Sequence, residues 1–203
     1  MSDAGQLTWV PRIAARMALE MPKAHLAVVG IASLVALGDL TSSQVDLHIG
    51  LAGRGAGLHI EPLLNERTVL VAREGHPALG KRLSARALGM LRHVGVEMVP
   101  GKGFRDFVGA AYARAGIRRE VAITVPSFTT AAAVVAATDL VATMPESLVA
   151  AQGSRMGVSA VNAPIPAHTV KIALCWHERT HADPAAQGFR GLVRQAVLTA
   201  EQG

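Results

Sequence analysis

The sequence predicts an α/β fold, and three observations carry that expectation. Helix-period apolar patterns alternate with short β-prone runs along most of the chain. Glycine or proline punctuates nearly every junction, and half of the residues are apolar, enough for a sizeable core. Twenty glycines and ten prolines in 203 residues lie well below the content of a low-complexity chain, so an ordered globular protein is expected.

The elements follow in order. From Leu7 to Met21, Val10, Ile13, Ala14, Met17 and Ala18 recur at helical spacing; Pro11 suits a first turn and Pro22 stops the helix. Leu26 to Ile31 reads as a buried strand, Leu34 to Leu40 as a short helix and Val45 to Ile49 as the next strand. Together they predict one βαβ unit with a right-handed crossover. After a glycine-rich loop from Gly50 to Gly57 come a strand at Val69 to Ala72, a turn at Gly75-His76-Pro77 and a helix capped by Ser84 that runs to Met90. A strand at His93 to Val96 and a helix from Phe104 to Ala115, closed by Gly116, precede a strand at Val121 to Val125. The pattern then gives a helix at Phe128 to Ala137, a strand at Leu140 to Thr143 and a helix opened by Pro145. A final strand at Val170 to Trp176 leads to Asp183 as N-cap and Pro184 at the first position of a terminal helix to Leu198. No solenoid repeat is present.

Composition narrows the function classes. No apolar run approaches the roughly 20 residues of a membrane span, and Met1 to Val10 lack the basic and apolar regions of a secretory signal, so no membrane partner and a cytoplasmic location are expected. Cys175 is the single cysteine, which excludes an internal disulfide and a multi-cysteine metal site. The formal charge of +5 suits an anionic partner. The basic residues are scattered, however, with Lys81-Arg82 and Arg118-Arg119 as the densest groupings, and 2 Trp, 1 Tyr and 4 Phe supply no aromatic-basic array for stacking single strands.

His177-Glu178-Arg179-Thr180-His181 matches the spacing of a zinc-protease helix. That chemistry needs both histidines on one face of a continuous helix, whereas these follow a β-like strand and precede Asp183-Pro184, the context of a polar connection. Gly53 to Gly57 lacks the dinucleotide fingerprint, and Gly101-Lys102-Gly103 lacks both the upstream glycine and the following Ser or Thr of a P-loop. Gly101 to Phe104 is thus either an anion site, built from a helix N-terminus and the Lys102 ammonium, or a solvated turn. No nucleophile elbow accompanies any serine, and Cys175, within an apolar run, reads first as a small buried hydrophobe. No enzyme activity, cofactor or metal is expected.

Several collinear strings together resemble the effector-binding domain of LysR-type transcriptional regulators. They are Val45-Asp-Leu-His-Ile-Gly50, Gly75-His-Pro77, His93-Val-Gly-Val96, Ala115-Gly-Ile117, Val125-Pro-Ser-Phe128, Thr138-Asp-Leu-Val-Ala-Thr-Met-Pro145 and Cys175-Trp-His177 with Asp183-Pro184. The strings from His93 onward look most like the branch containing nodulation regulators and regulators of naphthalene and nitroaromatic degradation. The resemblance implies a type 2 periplasmic-binding-protein-like fold, two Rossmann-like subdomains joined by two crossover strands near Val94 to Met98 and Ile172 to Cys175. Subdomain I would hold residues 1–96 with 173–203, and subdomain II residues 97–172.

The same resemblance implies a small effector, an organic carboxylate, bound in the cleft between the subdomains. Position by position it would meet Ser2, Asp3, Ser33, Lys102, Ser127, Phe128 and Cys175. Lys102 and Ser127 stand where some aromatic-sensing relatives carry histidine, and Cys175 where they carry phenylalanine, so this pocket is less aromatic and more cationic. A homodimer or homotetramer is implied, with promoter DNA bound through an N-terminal winged helix-turn-helix that residues 1–203 do not include. The alternative is a free-standing solute-binding protein for transport; a metalloenzyme at His177 and His181 ranks last.

Overall fold

The computed structural model describes residues 1–31, 40, 44–52, 55–99, 106–166 and 169–198. These form two compact units: unit 1 comprises Met1–Asn65 with Lys171–Gly203, and unit 2 comprises Glu66–Val170.

Unit 1 begins with α1, Asp3–Glu20. Ser2 caps it, its hydroxyl accepting from the Gly5 N–H at 3.3 Å. The cap starts the helix four residues before the position expected from periodicity and leaves Pro11 inside it rather than in its first turn. Gly5, Trp9, Ile13 and Met17, every fourth residue, form the buried face. Residues 24–30 carry no strand. Apolar character predicts a buried one at Leu26 to Ile31, yet Val28 is 39% exposed and no described segment forms a ladder with this stretch. The expected βαβ unit therefore lacks its first strand, and most of its helix, residues 34–39, lies outside the described residues.

Strand β1, His48–Leu51, starts later than Val45 because its register is set by β7, Thr169–His177. The two run antiparallel, with His48 opposite Cys175 and Leu51 opposite Ile172. Strand β2, Leu58–Arg73, is the next neighbour of β7, giving the order β1-β7-β2. A short 3-10 helix, Glu178–Thr180, joins β7 to the terminal helix, Pro184–Leu198, whose bounds are those read from the sequence. Asp183 Oδ1 accepts from the Ala186 N–H at 2.7 Å, as an N-cap should. The terminal helix lies against α1, where Arg16 donates to Gln195 Oε1 at 2.5 Å.

Unit 2 is a mixed sheet in the order β2-β5-β3-β4, with the short strand β6, Val158–Ala160, also paired to β2. β3 is Arg92–Val96, β4 Glu120–Val125 and β5 Val141–Pro145. β3 is parallel to both β4 and β5, while β2 runs antiparallel to β5 with Leu70 opposite Thr143. The helices are α2, Ala85–Leu88; α3, Phe107–Arg114; α4, Phe128–Ala136; and α5, Glu146–Gln152. The terminal helix of unit 1 is accordingly α6. Leu70, Val71, Leu88, Val94, Ala131, Val135, Val141, Met144 and Leu148 are almost wholly buried and make the core. Gly116, at φ +67°, takes the left-handed position after α3, where the Ile117 N–H closes back on the Tyr112 carbonyl at 3.0 Å. The expected helix start at Phe104 falls outside the described residues, and Asp106 is the cap that is seen.

The unit boundaries fall inside two strands, at Asn65/Glu66 in β2 and Val170/Lys171 in β7. The sequence reading puts the first exchange at 96/97; Val94 to Met98 lie within unit 2. The difference comes from β2, which is sixteen residues long instead of the four-residue strand at Val69 to Ala72. Pro62, Asn65, Glu66 and Arg67 interrupt its apolar signal.

Candidate functional site

The site residues read from the sequence fall on two helix starts and one buried strand. Ser2 and Asp3 open α1 in unit 1. The Ser2 hydroxyl is engaged by Gly5, and Asp3, in the first turn, places a carboxylate where the helix dipole favours one. Cys175 lies mid-β7, 1% exposed, in an apolar cluster with Leu40, Val45 and Ala173. Its surroundings match the small buried hydrophobe that composition suggests. Ser33 and Lys102, and with Lys102 the whole Gly101 to Phe104 turn, lie outside the described residues.

Ser127 and Phe128 open α4 in unit 2, immediately after β4. Ser127 is the N-cap, its Oγ accepting from the Thr130 N–H at 3.1 Å. The same oxygen is 3.0 Å from Thr129 Oγ1 and 2.8 Å from Thr130 Oγ1, so three hydroxyls converge on the first turn of this nine-residue helix. Ser127 and Phe128 are half-buried, and Thr129 and Thr130 are exposed. Rotatable O–H donors combined with a helix N-terminus suit an oxyanion. Thr129 and Thr130 were missed in the sequence; the signal that could have found them is the unbroken Ser-Phe-Thr-Thr string at a strand-to-helix junction.

Unit 1 also contains a pocket of about 290 Å³. Val10, Ile13 and Met17 of α1, Leu26 to Val29, Val45 to Ile49, and Phe189 and Val193 of α6 line it. Ser2, Asp3 and Cys175 do not. The wall is mainly apolar, with His25, Asp46 and His48 as its titratable members.

The zinc-like motif is a connection, as its context indicates. His177 ends β7, Glu178–Thr180 form the 3-10 helix and His181 follows it, so the two histidines do not share a continuous helix. Among the described residues no group of three or more His, Cys, Asp or Glu side chains could hold a metal ion, and no helix is long and apolar enough to cross a membrane.

Comparison with known proteins agrees with this architecture. The chain is 30% identical over 205 residues to the HTH-type transcriptional regulator SyrM of Rhizobium meliloti (strain 1021), covering 98% of this chain and 61% of that protein. It is 29% identical over 194 residues to the HTH-type transcriptional activator NahR of Pseudomonas putida, covering 95% and 64%. The chain thus spans less than two thirds of the length of either relative. Among solved structures, the CcmR regulatory domain of Synechocystis PCC6803 in complex with 2-PG is similar with a TM-score of 0.78 at 16% identity, covering 95% of this chain and 92% of that one. The effector-binding domain of QuiR in complex with shikimate gives 0.74 at 18% identity, covering 95% and 92%. At that identity they speak for the fold, which is the type 2 periplasmic-binding-protein-like α/β architecture. The description "LysR substrate binding domain" matches residues 1–198, and the chain belongs to that family.

Proposed function

We propose that this chain is the ligand-sensing regulatory domain of a bacterial transcriptional regulator, and that it binds a small organic anion. The observation that carries the reading is the family match over residues 1–198, joined to relatives named as transcriptional regulators. Two domains of the same fold solved with 2-PG and with shikimate support a small-molecule ligand. The hydroxyl cluster of Ser127, Thr129 and Thr130 supports an anionic one, because it gathers hydroxyl groups at a helix N-terminus.

In this reading Ser127 and Phe128 bind and orient the ligand, Lys102 supplies the cation, and Ser2, Asp3, Ser33 and Cys175 complete the set. The ligand acts by binding one conformation of the domain more tightly than another, which is the only way it can shift the balance between them. The domain is not an enzyme, works in the cytoplasm and pairs with further copies of itself. It reaches promoter DNA through a separate DNA-binding module.

Thermal unfolding against a panel of aromatic and aliphatic carboxylates tests the proposal. A saturable rise in Tm with one acid class is expected, because a ligand at 100 times its Kd adds about 2.7 kcal/mol to the stability of the form it binds. Lys102→Ala should weaken that rise without lowering the ligand-free Tm. A panel that leaves Tm unmoved throughout, in a protein that unfolds cooperatively, would overturn the organic-anion assignment.

A further inference from the structure

The connection from β7 to α6 carries a ring assembly that the ligand-sensing reading does not use. Trp176 is 7% exposed at the end of β7, and its indole N–H donates to His181 Nδ1 at 3.3 Å. The two rings are parallel within 2°, so they lie edge to edge as one plate. His59, from β2, stacks on that plate with its centroid 4.0 Å from His181 and 5.5 Å from Trp176. His59 Nε2 in turn meets the Glu178 carboxylate. Arg190, buried on α6, lies with its guanidinium 4.6 Å from the Trp176 ring centroid and donates to the carbonyls of Thr180 and His181 at 3.1 and 2.9 Å. The rings and this one arginine therefore tie β2, β7 and the start of α6 together.

The proton inventory of the plate is definite. An indole nitrogen only donates, so His181 Nδ1 must be bare in this arrangement. A proton there turns an acceptor into a donor aimed at another donor, and it places an imidazolium against the His59 ring, which is itself paired with Glu178. From β2 the assembly faces His59 and Glu61; from β7 and the 3-10 helix, His177, Glu178 and Arg179. From α6 and its cap it faces Asp183, Arg190 and Arg194. Asp183 and Glu61 offset the Arg190 charge, Glu61 is held by Arg194, and Arg179 is held by Asp46, which among the described residues leaves Glu178 to serve the three histidines. One carboxylate cannot compensate more than one imidazolium. His181 is exposed, so protons reach it directly.

We propose that the Trp176, His181 and His59 stack is a proton-operated latch on the β7-to-α6 connection, shut while His181 Nδ1 is bare and released when it is protonated. Release frees the Trp176 indole and loosens the carbonyls of Thr180 and His181 that anchor Arg190, so acid weakens the hold on the first half of α6.

The test uses the whole chain carrying Trp9→Phe, which leaves Trp176 as the only indole, taken from about pH 8 to about pH 5, the range in which histidine charge changes. Trp176 emission is expected to fall reversibly, with the indole N–H resonance and the amides of residues 178–183 shifting at the same midpoint as the His181 ring. His181→Asn keeps an acceptor at the Nδ1 position but does not titrate, and should flatten all three responses, while His177→Asn should leave them in place. A Trp176 signal independent of pH, or a response that survives His181→Asn, would overturn the latch. So would a His181 ring that titrates without moving the amides of residues 178–183. The ring and amide titrations can be read on the Trp9→Phe protein alone, so the test does not depend on the asparagine variants folding.

Discussion

Glu66 caps a helix it does not belong to. From β2 its two carboxylate oxygens accept the backbone N–H and the hydroxyl of Ser147, at 3.1 and 2.8 Å, in the first turn of α5. Pro145 occupies the N-cap position of that helix and has no side-chain acceptor to offer. A strand residue thus supplies what the local sequence cannot, and it supplies it as an anion at the positive end of the helix.

Removing the carboxylate should therefore destabilise unit 2 although Glu66 itself is no core residue. Glu66→Ala is expected to lower unfolding free energy by about 1–2 kcal/mol, with Glu66→Gln intermediate because its amide keeps one acceptor. Urea denaturation of the two variants beside the parent protein checks the order. Ser147→Ala, which removes only the hydroxyl bond, should lose less than Glu66→Ala.

Acid should weaken the fold through His93. Its ring is 0% exposed, edge-on to Tyr112 at 5.5 Å between centroids, and burial together with the nearby Arg119 charge pushes its pKa down from 6.5 to about 4. A base whose folded pKa is depressed takes up its proton more readily when unfolded. Its neutral form is thus matched to the fold at neutral pH, and stability declines as pH falls from about 6.5 toward about 4, by up to about 3 kcal/mol. Plotting unfolding free energy against pH should reveal that slope, and His93→Phe should remove most of it.

At α4 the capping and ligand roles of the hydroxyls can be separated. Ser127→Ala deletes the cap on Thr130 and should lower stability by about 1 kcal/mol. Thr129→Val leaves that cap in place and should be nearly neutral in stability while weakening any carboxylate-induced rise in Tm. Chemical denaturation and ligand titration of the same two proteins distinguish the outcomes.

In unit 1, Arg194 holds Glu61 through two bonds of 2.5 and 2.7 Å. Hydrogen bonding to Arg194 keeps the Glu61 carboxyl below its ordinary pKa, so the pair contributes above the unfolded carboxyl pKa and is lost as pH falls through the folded one. Arg194 is 41% exposed, and a double-mutant cycle with Glu61→Gln and Arg194→Gln should return a coupling of only about 0.5–1 kcal/mol, shrinking in high salt.

These polar partners also explain which parts of the fold the sequence could and could not announce. The terminal helix is readable because Asp183 and Pro184 mark its start with local chemistry and Leu192, Val193, Ala196 and Val197 keep its period. Strand β2 is not, because Glu61 and Glu66 look like loop residues until Arg194 and Ser147, distant in sequence, are seen to satisfy them. The run from Leu26 to Val29 fails in the opposite sense: it has the composition of a buried strand but not the neighbours, and a strand is made by its ladder. At the site, Ser127 is legible as a cap, whereas the convergence of Thr129 and Thr130 on its oxygen depends on helix geometry. Cys175 is placed correctly in an apolar strand, and nothing in its own residue type distinguishes lining a ligand from filling a core.

The position of the unit boundaries has a consequence for biosynthesis. Unit 2 is one uninterrupted stretch, so it holds every residue of its core once Val170 has been made. Unit 1 is split, and α1 and β1 must wait for β7 and α6, most of whose residues are made only after the whole of unit 2. The first segment of unit 1 is therefore made before unit 2 and completed after it, and during that interval the apolar face of α1 is without α6. Contacts between residues so far apart in sequence form late and slowly. A released chain that ends at Val170 should accordingly resist proteolysis in unit 2 and be cut readily within Met1–Asn65.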